Sequence, residues 1–562
     1  MNRTKLVIIG GVAAGATAAA RARRISEEAE ITLVERGPYV SYANCGLPYF
    51  ISGDIADRSR LLLQTPEGFE RRYRVKVRVR TEALELDRAG KRVRVQGPDG
   101  EDWLPYDELI LAQGGNPVAP DVPGAGSPHV FRLWTVPDMD RIHGFIARER
   151  PRSAAVVGGG FIGLEMAEAL HARGLDTTVI ELLPGVLPVM DRDMSALVAR
   201  TLESSGIRVI TGAAVAAVRP EERTVALAGG RRVAADLVLF SVGVRPELAM
   251  ARRAGLELGA SGGLLVDEHL RTSDPHVHAA GDMVEVVHKV SGRKVRTPLA
   301  GPANRQGRIA ASNALGQAMR YGGALGTSVV KVLDSTAAMT GLSERAARDA
   351  GLDVGVAVVV KDHHAGYYPG ARELTLKLVY DRATSRLLGA QAFGGAGVEK
   401  RIDVLATALQ GRMTLDDLAE LDLAYAPPYS SANDPVNVAA FAAVNDVSGF
   451  SPLATAGELQ SALASAAPPL VLDVRTRGEF DQSHLRGARH VALDDLRSSR
   501  DPLPSDRRIF VYCRSGFRGH LALRILKARG VTDVVNVTGG YLSMLAWGGF
   551  ELEGAAQASL AA

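Results

Sequence analysis

The feature that most constrains this 562-residue chain is a strand–glycine turn–helix pattern that occurs twice. In the first unit, Lys5–Arg24, the apolar run Lys5-Leu6-Val7-Ile8-Ile9 enters Gly10-Gly11-Val12-Ala13-Ala14-Gly15 and leaves as an alanine-rich helix. Its next strand is Glu30–Glu35. In the second, Ser153–Ala172, a strand enters Gly158-Gly159-Gly160-Phe161-Ile162-Gly163, and the next strand is Thr177–Glu181. A βαβ unit built this way needs a parallel sheet with helices on its faces. Two of them predict an α/β chain with two Rossmann-like dinucleotide-binding domains.

The second turn satisfies G-x-G-x-x-G. Gly158 makes the tight turn, Gly160 lets a pyrophosphate approach the backbone, and Gly163 lets helix and strand pack. Free N–H groups at the helix start suit phosphate. Glu181 ends the following strand, 18 residues beyond Gly163. A carboxylate there accepts both ribose hydroxyls and repels a 2′-phosphate, so NADH is expected over NADPH. Leu237–Gly243 closes this unit, with Gly243 at the cofactor. The first turn has Val12 where the middle glycine belongs. Gly10, Gly15 and the strand-end Glu35 still fit a dinucleotide, and Ala279-Ala280-Gly281-Asp282 adds a strand ending in a carboxylate.

These units set the expected domains. Residues 1–115 and 246–326 form the first dinucleotide-binding domain, and 116–245 the second. Within the first, Arg92–Glu108 alternates as a β-meander and Leu109–Ala112 reads as a buried returning strand. Residues 327–445 read as α+β, with strands at Val354–Lys361, Leu374–Tyr380 and Leu388–Phe393 and helices at Gly397–Ala408 and Leu415–Leu421. Residues 446–454 have turn-rich linker composition. Residues 455–562 form a compact α/β module with buried strands at Leu470–Val474, Ile509–Tyr512 and Val534–Val537.

The chain holds two cysteines, one in each half. Cys45 lies in Ser41-Tyr42-Ala43-Asn44-Cys45-Gly46-Leu47-Pro48-Tyr49. Cys513 opens Cys513-Arg514-Ser515-Gly516-Phe517-Arg518, between an apolar strand and a helix. Both contexts are polar, glycine-bearing turns, which favours reactive thiols over buried structural ones. The six-residue loop at Cys513 curls so that backbone N–H groups converge on the sulfur. The helix start and Arg514 or Arg518 are expected to lower its pKa. A Cys-x5-Arg phosphatase loop is one residue longer, so six residues argue for sulfur.

Residues 1–445 resemble the two-dinucleotide flavoprotein disulfide reductases. That resemblance implies FAD in the first domain, NAD(P)H in the second and a homodimer formed through 327–445. Gln113, in Leu-Ala-Gln-Gly-Gly, departs from the usual threonine and is expected to perturb only a turn. Cys45 stands alone where relatives of the glutathione-reductase branch carry a C-x4-C pair. Its oxidised form is therefore a mixed disulfide with a small thiol, or a sulfenic acid. Ser41, Asn44, Cys45, Leu47, Pro48 and Tyr49 match the coenzyme A-disulfide reductases. Ala13 replaces the histidine of the sulfenic-acid oxidases and peroxidases.

By the same resemblance, Tyr367 and Tyr425 act near the reactive sulfur of the partner subunit, with Tyr368 and Tyr429 as substitutes. A phenol there hydrogen-bonds and later protonates a departing thiolate. Arg24, Ser41, Asn44, Asn304 and Arg308 line the coenzyme A groove. Residues 455–562 resemble a rhodanese domain through Leu472-Asp473-Val474-Arg475, Glu479-Phe480, His484-Leu485-Arg486-Gly487-Ala488 and the loop at Cys513. The whole resembles the coenzyme A-disulfide reductase–rhodanese fusions, NADH-driven reductases of CoA persulfide, polysulfide and CoA disulfide. The alternatives are an NADH oxidase or peroxidase using a Cys45 sulfenic acid, and a non-enzymatic rhodanese sulfur carrier.

The net charge of +3 does not argue for nucleic acid. Two basic clusters, Arg21–Arg24 and Arg71–Arg78, read as solvated faces or as a funnel for an anionic ligand. No signal peptide is expected before the first strand, and no apolar run reaches a membrane span. Two unpaired cysteines fit a reducing cytoplasm.

Overall fold

The computed structural model describes residues 3–500, 504 and 507–555, which fall into two compact units. One comprises the chain up to Pro184 together with Ser205–Gly326. The other comprises Gly185–Ser204 and the chain from Thr327 on.

The first unit contains two five-stranded parallel sheets of the same design. In one the order is Val277–Ala279, Glu108–Leu111, Lys5–Ile9, Glu30–Val34, Lys76–Arg78. In the other it is Arg208–Ile210, Asp176–Ile180, Ser153–Val157, Leu237–Phe240, Val130–Phe131. In each, the strand that feeds the glycine turn is central. The chain leaves it to one side and returns on the other, so the turn lies at the switch point where ligands bind open α/β sheets. Strands covered on both faces must be apolar along their length, and Leu6, Ile8, Leu33, Leu109 and Ile110 are fully buried. Each sheet carries an antiparallel meander. The expected one at Arg92–Glu108 gains a third strand, Glu82–Asp87.

The second unit is built on an antiparallel sheet ordered Ser328–Val332, Ser335–Gly341, Leu387–Gly394, Glu373–Asp381, Val354–Asp362. The helices Val398–Gly411 and Pro435–Val447 belong to it. The helix Arg192–Ser204, read from sequence as part of the second dinucleotide domain, packs in this unit. Its first turn carries Asp193, which with Asp191 and Glu344 surrounds the buried Lys377 ammonium at 3.0–3.2 Å. Three carboxylates compensate the desolvated cation and hold its pKa above the ordinary lysine value against burial.

A parallel sheet of order Leu453–Ala454, Val534–Val537, Ile509–Tyr512, Leu470–Asp473, Arg489–His490 forms the C-terminal module. The segment read as a linker is ordered. Asp446 accepts a 2.7 Å hydrogen bond from the Tyr380 hydroxyl and another, at 2.8 Å, from the Leu453 amide, and pairs with Arg382. Thr538 then seals the open edge of the antiparallel sheet. Its hydroxyl accepts from the Val358 amide at 2.7 Å and donates to the Val358 carbonyl at 3.2 Å.

Candidate functional site

The two glycine turns use one device. Gly10 has φ +100° and Gly158 φ +107°, a region that only glycine enters freely. A Cβ on either would lie 2.2 Å from a carbonyl of the returning strand's extension, Ala112 or Ser241. A Cβ on Gly15 or Gly163 would fall within 2 Å of the Gly10 or Gly158 carbonyl, so helix and turn touch through hydrogen. Gly160 caps the helix Phe161–Ala172 with open space before it. Glu35 accepts from the Gly11 amide at 2.8 Å and the Gly37 amide at 2.7 Å. Glu181 accepts from the Gly159 amide at 2.6 Å and the Leu183 amide at 2.8 Å. Each carboxylate thus fixes its glycine turn and keeps lone pairs for a ribose. Gly243 has φ +111°, beside the crossing of Val244–Pro246 over Gly115–Pro117.

A cavity of about 340 Å³ opens on the first turn, lined by Gly10, Glu35, Asn44, Gln113, Gly281 and Asp282 among others. Two of these bring buried polar groups to the lining. Burial pushes the Asp282 carboxyl up to about 6. The buried Gln113 side-chain amide oxygen, Oε1, has no hydrogen-bond partner. Gln113 is therefore a lining residue as well as a turn residue, a role the sequence reading missed. An elongated polar ligand with donors at these points fits such a lining.

Cys45 sits in the short helical turn Asn44–Gly46, just before the helix Leu47–Ser52. The segment is pinned to the first glycine turn by the Ser41 amide, which donates to the Gly11 carbonyl at 2.8 Å. Ser41 itself has φ +46°, strained for a non-glycine residue. The sulfur lies 3.7 Å from the Asn44 side-chain oxygen. Cys45 is exposed, but desolvation by the protein around it, then Glu165 and Asp282, push its thiol up. Glu165, on the helix that follows Gly160, was not singled out from sequence. Burial raises it to about 7, and it accepts a long hydrogen bond from Tyr49 at 3.4 Å.

Of the residues expected to line a groove, Arg24, Asn304 and Arg308 are exposed along two helices, Ala13–Ile25 and Ala300–Ala314. Thr17 donates to Asn304, and Arg21 donates to Ser312 at 3.0 Å. Thr17, Arg21 and Arg24 share one face of the first helix by their spacing. Burial, then Arg308 and Arg24, hold the Arg21 pKa below the usual value, so three guanidinium groups share one field. Ser41 and Asn44 lie instead at the glycine turn. The second basic run is dispersed, since Arg74 pairs with Glu27 and Arg78 with Asp102.

In the second unit, Tyr367 and Tyr425 are exposed and their hydroxyls meet at 3.2 Å. That hydrogen bond holds the Tyr367 pKa above the ordinary tyrosine value. The two loops are tied by Arg401, which is 1% exposed. Its guanidinium donates to the His363 carbonyl on one loop and to Asp434 on the other, both at 2.7 Å. Asp434 in turn accepts from Ser430 at 2.6 Å. Tyr368 and Tyr429 are also exposed, and His364 is buried against Tyr368.

In the C-terminal module the Cys513 sulfur is buried and accepts from the Gly516 amide at 3.1 Å. Gly516, at φ +104°, starts the helix Phe517–Ala528, and its carbonyl accepts from Asn536 at 3.0 Å. The expectation that Arg514 or Arg518 serves the thiol meets two carboxylates. Arg514 pairs with Glu373 at 2.7 Å. Arg518, which also feels Cys513, makes two 2.7 Å bonds to Glu479 and holds that carboxyl down to about 2. Ser515 lies within the loop, and Phe517 is 69% exposed.

Residues 4–307 match the family described as "Pyridine nucleotide-disulphide oxidoreductase", 327–435 its dimerisation domain and 455–546 the "Rhodanese-like domain". A Pyrococcus abyssi protein named "NAD(P)H sulfur oxidoreductase (CoA-dependent)" is 36% identical over 77% of this chain and 97% of its own length. The crystal structure of reduced Bacillus anthracis CoADR-RHD superposes with a TM-score of 0.94 at 40% identity, covering 97% of this chain and 98% of that one. An NAD-dependent persulfide reductase from A. fulgidus superposes at 0.89 with 37% identity, covering 97% and 99%.

Proposed function

Because the chain belongs to the pyridine nucleotide-disulphide oxidoreductase family, we propose that it is a homodimeric, FAD-dependent reductase that spends NADH on CoA persulfide or polysulfide and on CoA disulfide. The observation that carries this reading is the setting of Cys45. It is the sole thiol before the C-terminal module, and its loop is pinned to the first glycine turn. Its neighbour Asn44 shares a cavity with Gly10, Glu35 and Asp282. Gln113 and Asp282 offer that cavity an unsatisfied acceptor and a partly neutral carboxyl, which fits FAD. Bound FAD would supply the relay that carries two electrons from NADH to a disulfide.

The remaining chemistry belongs to side chains. The Cys45 thiolate attacks the CoA-bound sulfur of the persulfide, forming Cys45–S–S–CoA and releasing hydrosulfide. With CoA disulfide the leaving group is CoA thiolate. Two electrons and one proton return the mixed disulfide to Cys45 thiolate and CoA thiol. Tyr367 and Tyr425 hydrogen-bond the departing thiolate and supply its proton. Glu181 selects NADH. Arg24, Asn304 and Arg308 hold the CoA phosphates with Arg21, while Ser41 and Asn44 orient the thiol end. Cys513 carries sulfane sulfur to or from the reductase half.

Steady-state kinetics on CoA persulfide, CoA disulfide, polysulfide and peroxide test the proposal. The purified protein should be yellow and bleach with NADH. Turnover of peroxide or oxygen above the sulfur substrates would replace the reading with an oxidase using a Cys45 sulfenic acid.

A further inference from the structure

The loop Cys513–Arg518 carries two arginines, and each is engaged by a carboxylate from a different place. Glu479 binds Arg518 bidentately and is itself fixed, since the same carboxylate accepts from the Thr476 amide at 2.9 Å and hydroxyl at 3.0 Å to cap the helix Arg477–Gln482. Glu373, which binds Arg514, lies outside the rhodanese module, at the start of a strand of the antiparallel sheet. We propose that these two carboxylates set the donor specificity of Cys513: the loop takes sulfane sulfur from a monoanionic persulfide and discriminates against dianionic thiosulfate. The inference rests on the reading of Cys513 as a sulfur acceptor.

The argument is one of charge. A tetrahedral dianion is best held by free guanidinium groups through paired, charge-assisted hydrogen bonds. Here the Arg518 fork is turned onto Glu479 and Arg514 gives one hydrogen bond to Glu373, so each ion pair is neutral and presents acceptor oxygens to an approaching anion. The sulfur itself is met by the Gly516 amide and by Arg518, whose charge is shared with Glu479, a setting that suits a single negative charge. The exposed Phe517 ring, within the loop, offers an apolar contact to an organic thiol carrier. Both transfers balance. Cys513 thiolate and a persulfide anion R–S–S⁻ give Cys513–S–S⁻ and R–S⁻. Cys513 thiolate and thiosulfate give Cys513–S–S⁻ and sulfite. Only the second must bring a dianion past Glu373 and Glu479.

The test uses the full chain with two donors, thiosulfate and N-acetylcysteamine persulfide, and cyanide as acceptor. Glu479→Gln keeps the helix cap, since glutamine serves in a capping box, and Glu373→Gln changes an exposed residue. The wild type should favour the persulfide. Each variant should raise kcat/KM for thiosulfate by about ten-fold, the effect of freeing one charged hydrogen-bond donor, while kcat/KM for the persulfide moves less than about two-fold. Thiosulfate values that stay put in both variants and in the double variant, or that move in parallel with the persulfide values, overturn the proposal. Intact mass separates the underlying reading: if neither donor adds one sulfur atom to wild-type Cys513, Cys513 is not an acceptor and the reading itself fails.

Discussion

Tyr367 and Tyr425 stand 58 residues apart in the chain, yet their hydroxyl oxygens lie 3.2 Å apart. Neither loop carries regular structure that would fix this. The buried Arg401 guanidinium does so, bonded at once to the His363 carbonyl and to Asp434. Tyr367→Phe and Tyr425→Phe should each slow CoA-disulfide turnover, and the double variant more than either. Full rate in the double variant would pass the proton-donor role to another group, His363 or His364 first.

Arg401→Met should act on the same step by loosening both loops, and on stability as well. It leaves the Asp434 carboxylate buried without its partner, at a cost of about 3–5 kcal/mol. Urea unfolding measures the loss. Turnover of CoA disulfide in the folded fraction should fall with kcat more affected than KM, since on the proposed reading the substrate's anionic end is held elsewhere.

Cys45→Ser should abolish reduction of CoA persulfide and CoA disulfide while the protein still binds FAD and still bleaches with NADH. In the flavin-free protein, the alkylation rate of Cys45 should rise with a midpoint above the ordinary thiol value of about 8.5, because desolvation, Glu165 and Asp282 all oppose the thiolate. Glu165→Gln should move that midpoint down. It should also flatten the pH dependence of unfolding. Glu165 is raised to about 7 from an unfolded value near 4.3. The folded state therefore binds more protons between those values, and stability falls as pH rises through that window, by up to ~3 kcal/mol.

NADH should outperform NADPH in kcat/KM by about a hundred-fold or more, given a Coulomb repulsion of about 4 kcal/mol at close range in partly screened sites. Glu181 has little room to swing aside, since both its oxygens hold backbone amides. Comparable values for the two cofactors would contradict the assignment.

Cys513→Ser should spare reduction of preformed CoA persulfide and impair turnover on polysulfide or a protein persulfide. Equal losses on both would give the module a structural role. No loss on either would mean two fused, uncoupled activities.

The parts of the fold legible in the sequence are those governed by local rules. The central parallel strands are continuous apolar runs, and the glycines at 10, 15, 158 and 163 are where a side chain would strike backbone. The strand Glu82–Asp87 escaped because a register shift between Ala83 and Glu85 breaks its alternation. The hairpin Ser328–Gly341 escaped because its turn uses Leu333 at φ +55° instead of a glycine. At the site, the motif residues were legible and their controllers were not. Glu165, Glu373 and Arg401 act through partners distant in sequence, and Glu479, visible in a motif, had no visible partner until Arg518 met it in space.

The grip on Asp446 changes what the junction between the two modules is. A joint whose carboxylate is clasped by Tyr380, Arg382 and the Leu453 amide is a weld and not a hinge. Lengthening 446–454 with flexible residues would then gain no reach and would unseat Thr538 from Val358. Cutting there would strip Tyr380 and Arg382 of their counterpart and uncover a raw sheet edge. If Cys513 passes sulfur on as proposed, the carrier would have to bring its own mobility, because the junction clasped at Asp446 gives the domain little to lend.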